Sequence, residues 1–106
     1  MKNLFDLTGK RALITGSAQG IGNLLASGLA AHGAEIVIND ITQQRAQAAA
    51  DKLVAEGYRA VGYGFDVTNG EELACAIAQI EKDVGAIDIL INNAGIQRSE
   101  EHTSEL

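Results

Sequence analysis

A chain of 106 residues, 46% hydrophobic and 4% aromatic, has apolar material for one small domain and no more. Its formal net charge of −6, without a basic stripe, argues against nucleic acid and anionic membrane as partners. One cysteine allows no internal disulfide, no apolar run is long enough to span a bilayer, and the amino end MKNLFDLTGK has no long signal-peptide core, so the cytoplasm is the expected compartment.

The first predicted element is KRALITG (10–16), a short apolar run bounded by Gly9 and Gly16 that reads as a buried parallel strand. TGSAQGIG (15–22) follows, a sharp turn into a helix from about Gln19. Gly16 tolerates the turn's backbone angles, and Gly20 and Gly22 have no side chains to obstruct an anion or the strand–helix contact. The helix start offers free N–H groups and the positive end of a dipole, and Ser17 offers a hydroxyl donor. The plainer reading of these glycines is a tight turn alone.

In the first helix, IGNLLASGLAAHG, the residues Ile21, Leu24, Leu25, Gly28 and Leu29 recur at helical spacing and predict its buried stripe. Gly33 fits a C-cap, and His32 fits a position where its ring meets the negative end of the dipole. The second strand, AEIVIND, ends at Asp40, which lies 20 residues after Gly20, where a ribose-binding acid belongs. Such a carboxylate accepts from both ribose hydroxyls and repels a 2′-phosphate; a helix-capping Asp is the alternative. Arg45, just beyond it, reads as a solvated charge, with reach to a 2′-phosphate as the alternative.

A second helix is predicted over about 43–56, ended by Gly57, and a glycine-interrupted third strand over about 60–65. Asp66 and Val67 then stand at the edge where open α/β sheets hold ligands. Thr68 and Glu71 have the spacing of a capping box for a third helix, whose stripe is Leu73, Ala76, Ile77, Ile80 and Val84 and whose end is Gly85. Cys75 falls off that stripe and has no His or second Cys near it. IDILINN (87–93) is the fourth strand. Strands alternating with helices predict a doubly wound parallel α/β sheet, and right-handed crossovers require the order 3-2-1-4 with a switch point between strands one and four. The glycine loop and NNAG (92–95) both fall there.

TGSAQGIG and NNAG, in this order and spacing, resemble the two signatures of the short-chain dehydrogenase/reductase family, and the likeness covers residues 4–97. The stretches LFDLTGKRALITGSAQGIG, INDIT and IEKDVGAIDILINNAGIQ are most similar to the branch that oxidises gluconate at C5. The resemblance implies a Rossmann sheet that binds NAD, with NADP as the alternative. It implies Gly16, Ser17, Gln19, Gly20, Ile21 and Gly22 around the pyrophosphate, and Asp40 at the adenosine ribose. Asp66 and Val67 are implied at the adenine, and Asn93, Ala94 and Gly95 beside the cofactor ribose. A small polyol or sugar acid is the implied substrate, and a homo-oligomer the implied complete protein.

The family's catalytic Ser, Tyr-x-x-x-Lys and further Asn all follow NNAG. Tyr58 is followed four residues later by Gly62, Tyr63 by Val67, and no Lys follows Lys82. The expectation is a sheet truncated after its fourth strand, a partial cofactor-binding domain (1–97) without catalytic residues or a metal. Residues 98–106, RSEEHTSEL, are abruptly polar and match one reading frame of a common sequencing-adapter DNA, so they are expected to be non-native, a natural polar tail being the alternative. His102 and the acids around it then form no metal site. A stand-alone nucleotide-binding module and a non-functional fragment are the competing readings.

Overall fold

A computed structural model describes residues 5–94, along which strand and helix alternate: β1 (Arg11–Ile14), α1 (Gly20–Ala31), β2 (Glu35–Asp40), α2 (Gln43–Ala55), β3 (Ala60–Gly64), α3 (Gly70–Asp83) and β4 (Ile89–Ile91). Gly95 and the tail 98–106 lie outside the described residues. The sheet is parallel with the expected order, β3-β2-β1-β4. Its register sets Ala12 beside Ile36 and Ile89, and Ile38 beside Gly62.

Each central strand is buried on both faces, which is why β1 and β2 read as unbroken apolar runs. Ala12, Ile14, Ile36 and Ile38 point to one side, against Ala26 and Ala30 of α1 and Ala46, Ala50 and Leu53 of α2. Leu13 and Val37 point to the other, against Ile80 of α3 and Phe65, with the expected α3 stripe Leu73, Ala76, Ile77 and Val84 packed around them. Burial of each large aliphatic side chain contributes about 1.5–3 kcal/mol.

The stripe expected on α1 is corrected. Its buried residues are Gly22, Ala26 and Ala30, while Ile21 and Leu24 are 63% and 73% exposed. The reason is distance: α1 lies so close to the glycine loop that only small side chains fit on its inner face. Leu24, Leu25 and Gly28 instead line a shallow groove with Phe5, Leu7 and His32, while Leu29 borders that groove and also packs, partly buried, against the core as expected. The period was read correctly, but the helix is rotated toward its smaller residues.

Helix ends follow local chemistry. Gly33, Gly57 and Gly85 follow the three helices with positive φ, as expected of C-terminal glycines. His32 caps α1, with its Nδ1 2.8 Å from the carbonyl oxygen of Gly28. The cap of α3 is corrected by one residue. Asn69 Oδ1, not Thr68, accepts from the backbone N–H groups of Glu71 and Glu72. Glu72 sits where a capping-box acid belongs and accepts from the N–H of Asp66 instead (3.0 Å).

The glycines of β3 answer to packing. Ideal Cβ atoms at Gly62 and Gly64 would collide with the backbone of α2 at Ala46 and Gln43. With α2 drawn this close, the Gln43 side chain reaches the outer edge of β3. It donates to the Gly62 carbonyl (2.7 Å) and accepts from the Gly64 N–H (2.8 Å). Edge groups of this kind otherwise invite pairing with another chain. Gln43→Ala is expected to cost about 1–2 kcal/mol, two ordinary hydrogen bonds, in urea unfolding. An unchanged unfolding free energy would show that water replaces the amide without loss.

Candidate functional site

At the carboxyl ends of the strands the sheet opens into a cleft of about 610 Å3 between the β1–α1 loop and the ends of β2 and β3. Of the residues singled out in the sequence, Gly16, Gln19, Gly20, Asp40, Asp66, Val67 and Ala94 line it, with Ile41, Arg45 and Thr68. Ser17, Ile21, Gly22 and Asn93 belong to its supports and surroundings.

Three features make the loop a cradle. Gly16 and Gly20 have φ of 61° and 67°, the left-handed region that glycine enters without cost. An added Cβ at Gly20 would meet nothing within 4 Å, so the missing side chain leaves open space in the cleft. Gln19 stands extended at the N-cap of α1 without a side-chain cap, and the first turn has no acid, so no side-chain oxygen of these residues satisfies the start of the helix. An added Cβ at Gly22 would stand 2.5 Å from the Gly16 carbonyl oxygen and 2.7 Å from Asn93 Nδ2. That absence is what lets the helix start touch the loop.

Asn39 organises the loop, and the sequence reading passed it over. It is 2% exposed. Its Oδ1 accepts from the Gly16 N–H (3.0 Å), and its Nδ2 contacts the carbonyls of Asp40, Tyr63 and Phe65 at 3.1–3.2 Å. The available signal was a polar residue inside an otherwise apolar strand run. Ser17 is fully buried, and its hydroxyl donates to the Ile14 carbonyl (2.6 Å) and accepts from the Asn39 N–H (3.1 Å). The free donor expected at Ser17 is therefore used inside the fold.

Beyond β4, Thr15 joins the glycine loop to the NNAG segment. Its hydroxyl donates to Asn92 Oδ1 (3.0 Å) and accepts from the Ala94 N–H (3.2 Å). Asn93, 4% exposed, donates through Nδ2 to the Gly16 carbonyl (3.2 Å). The two motifs, 77 residues apart, thus share one wall of the cleft.

Asp40 ends β2 at the cleft, its Oδ1 accepting from the Ile41 N–H (2.6 Å). Its Oδ2 lies 3.5 Å from the Arg45 guanidinium, with side-chain exposures of 11% and 51%. Arg45 is thus neither a free surface charge nor remote from the site. Asp66 Oδ1 accepts from the Thr68 N–H (2.9 Å), which shapes the turn beside Val67.

Tyr63 donates to Asp83 Oδ2 (3.1 Å), and burial followed by that carboxylate raises its pKa above the ordinary 10. That is the reverse of what a tyrosine acid/base near neutral pH requires. Because the folded pKa is raised, its stabilising effect is present below about pH 10 and is lost as pH rises further. No group of three potential metal ligands occurs among the described residues, nor any helix long and apolar enough to cross a membrane.

The parallel sheet of order β3-β2-β1-β4, with a cleft at the carboxyl ends of its strands, defines a doubly wound α/β protein. A model of the short chain dehydrogenase family matches residues 10–106, and the chain belongs to that family. It is 59% identical over 98 residues to a 5-keto-D-gluconate 5-reductase of Escherichia coli strain K12, covering 92% of this chain and 39% of the relative. It is 50% identical over 96 residues to a gluconate 5-dehydrogenase of Gluconobacter oxydans strain 621H, covering 91% and 38%. Among solved structures, a gluconate 5-dehydrogenase from Burkholderia cenocepacia J2315 in complex with NADP and tartrate superposes with a TM-score of 0.82 at 50% identity, covering 84% of this chain and 35% of that one. The chain therefore spans well under half the length of these relatives.

Proposed function

We propose that this chain supplies the nicotinamide-dinucleotide-binding half of an oxidoreductase that interconverts gluconate and 5-ketogluconate. The observation that carries the reading is the cleft: an open glycine loop at an acid-free helix start, with a carboxylate 20 residues further on. Gly16, Gln19 and Gly20, with the first N–H groups of α1, would hold the pyrophosphate. Asp40 would accept from the adenosine ribose, Asp66 and Val67 would flank the adenine, and Asn93, Ala94 and Gly95 would stand beside the second ribose. Ser17, Gly22 and Asn93 hold the loop in the shape this requires. The bound nicotinamide supplies the hydride chemistry. The cytoplasm is the compartment this reading suggests, and a homo-oligomer the complete assembly.

The substrate reading rests on the gluconate-directed relatives; a chimera tests the cofactor-binding reading. In the Escherichia coli reductase, the matching part is replaced by residues 1–94 of this chain. The hybrid is expected to reduce 5-ketogluconate with a reduced nicotinamide cofactor. A folded hybrid without that activity would refute the reading. The chain alone, having no Tyr-x-x-x-Lys, is expected to bind nucleotide and turn over no gluconate. Turnover by the purified chain, abolished by Gly20→Trp, would overturn the division of labour.

A further inference from the structure

Asn39 uses its polar groups to tie two parts of the cleft wall together. Its backbone carbonyl accepts from the Ser17 N–H (2.8 Å), and its own N–H donates to Ser17 Oγ (3.1 Å). Its side-chain Oδ1 accepts from the Gly16 N–H, so both main chain and side chain hold the glycine loop. On the other side, Nδ2 faces the carbonyls of Asp40, Tyr63 and Phe65 at the ends of β2 and β3. Gly16 lines the cleft at one end of this span, and Phe65, Asp66 and Val67 line it at the other. Among side chains this short, only the asparagine amide offers an acceptor and a two-proton donor on one flat, neutral group. A buried polar network whose members are all satisfied stiffens its surroundings, and Asn39 is 2% exposed with both ends of its amide engaged.

We propose that Asn39 is a positioning residue that fixes the separation between the glycine loop and the turn after β3, so that the cleft takes a diphosphate and its attached adenosine as one ligand. The proposal rests on the nucleotide-binding reading above and names what couples the two ends of that site. Asn39 acts through Gly16 and Phe65 and touches no ligand atom itself. When two contacts belong to one ligand, the second forms at a high effective concentration, provided the subsites stay at the separation the ligand spans. A stiff wall holds that separation before binding, whereas a loose wall loses part of the gain in being ordered. The amide therefore adds little to the binding of either half alone and much to the binding of the two joined.

The test is a titration of the 106-residue chain with adenosine, with inorganic pyrophosphate and with ADP, followed by backbone amide chemical shifts, which read weak affinities and show whether the chain is folded. The association constant for ADP, divided by the product of those for adenosine and pyrophosphate, gives a joining factor in units of concentration. The unmutated chain is expected to give a factor well above the millimolar range of a flexible linkage. Asn39→Asp keeps an acceptor for Gly16 and loses the donor toward β3. It is expected to lower the factor by about tenfold or more, while its added charge weakens pyrophosphate and ADP alike and cancels in the ratio. Ser17→Ala loosens the loop against β2 without touching β3. It is expected to weaken pyrophosphate and ADP together and leave the factor unchanged, which is also what Asn39→Asp would do if its role were merely structural. An unchanged factor in Asn39→Asp overturns the inference and leaves the nucleotide-binding reading standing. If Asn39→Asp does not fold, Asn39→Thr, neutral and too short to reach both sides, is judged by the same ratio. If neither variant folds, the unmutated chain decides: a factor above the millimolar range supports the inference, and one within it overturns it. Failure of the unmutated chain to bind ADP overturns both the reading and the inference.

Discussion

Gly22→Val is expected to lower stability by about 3 kcal/mol or more, at the upper end of overpacking effects and enough to unfold a marginal domain. The collision is with fixed groups. The new Cβ alone would stand 2.5 Å from the Gly16 carbonyl oxygen and 2.9 Å from the Ser17 Cα. Neither can move without breaking the loop: Gly16 is held by Asn39 and Asn93, and Ser17 by Ile14 and Asn39. Gly28, six residues along the same helix, supplies the control. An added Cβ there meets nothing within 4 Å. Gly28→Ala is therefore expected to stabilise the helix by about 0.5–1 kcal/mol. Urea unfolding of the two variants reads both effects. Equal stabilities would show that α1 does not approach the loop as described.

Asn39→Ala is expected to cost about 3–5 kcal/mol, in the range for a broken buried polar network. The substitution removes a side chain that serves both the glycine loop and the end of β3. It orphans the Gly16 N–H and releases contacts to the carbonyls of Asp40, Tyr63 and Phe65. Asn39→Asp separates the two halves of this role. The acid keeps an acceptor for Gly16 but turns a carboxylate oxygen toward three carbonyls. Burial and that repulsion raise the folded pKa of the new acid. The raised pKa puts the stability difference from the unmutated chain smallest below about pH 4, widening as pH rises. Unfolding free energies of both chains across pH check the sign. A difference that shrinks as pH rises would refute the described environment of Asn39.

Much of the fold was legible because its signals are local. β1 and β2 are unbroken apolar runs because helices cover both faces of the sheet. The three helices stop where a glycine can take positive φ. Asp40 and Asp66 were marked by their places at strand ends, which a parallel sheet gathers on one edge. The N-cap of α3 was misread by one residue because Thr68 and Asn69 are both competent caps. The choice between them depends on where Glu72 finds a donor, and that donor is the backbone of Asp66 in the preceding turn.

The sequence by itself determined the order of elements, the topology 3-2-1-4 and the meeting of the glycine loop and the NNAG segment at the switch point, with Asp40 at the end of the neighbouring strand. Periodicity, turn chemistry and the handedness of crossovers act within a few residues or one βαβ unit, so they can be read along the chain. The tertiary structure alone decided which face of α1 is buried, that Ser17 turns inward, that Asn39 pins the loop, and that Arg45 shares Asp40. Those outcomes depend on how closely α1 approaches the sheet and on which polar groups the parallel register brings within hydrogen-bonding reach. Segments 20 to 80 residues apart meet there, and no local pattern encodes the distance between them.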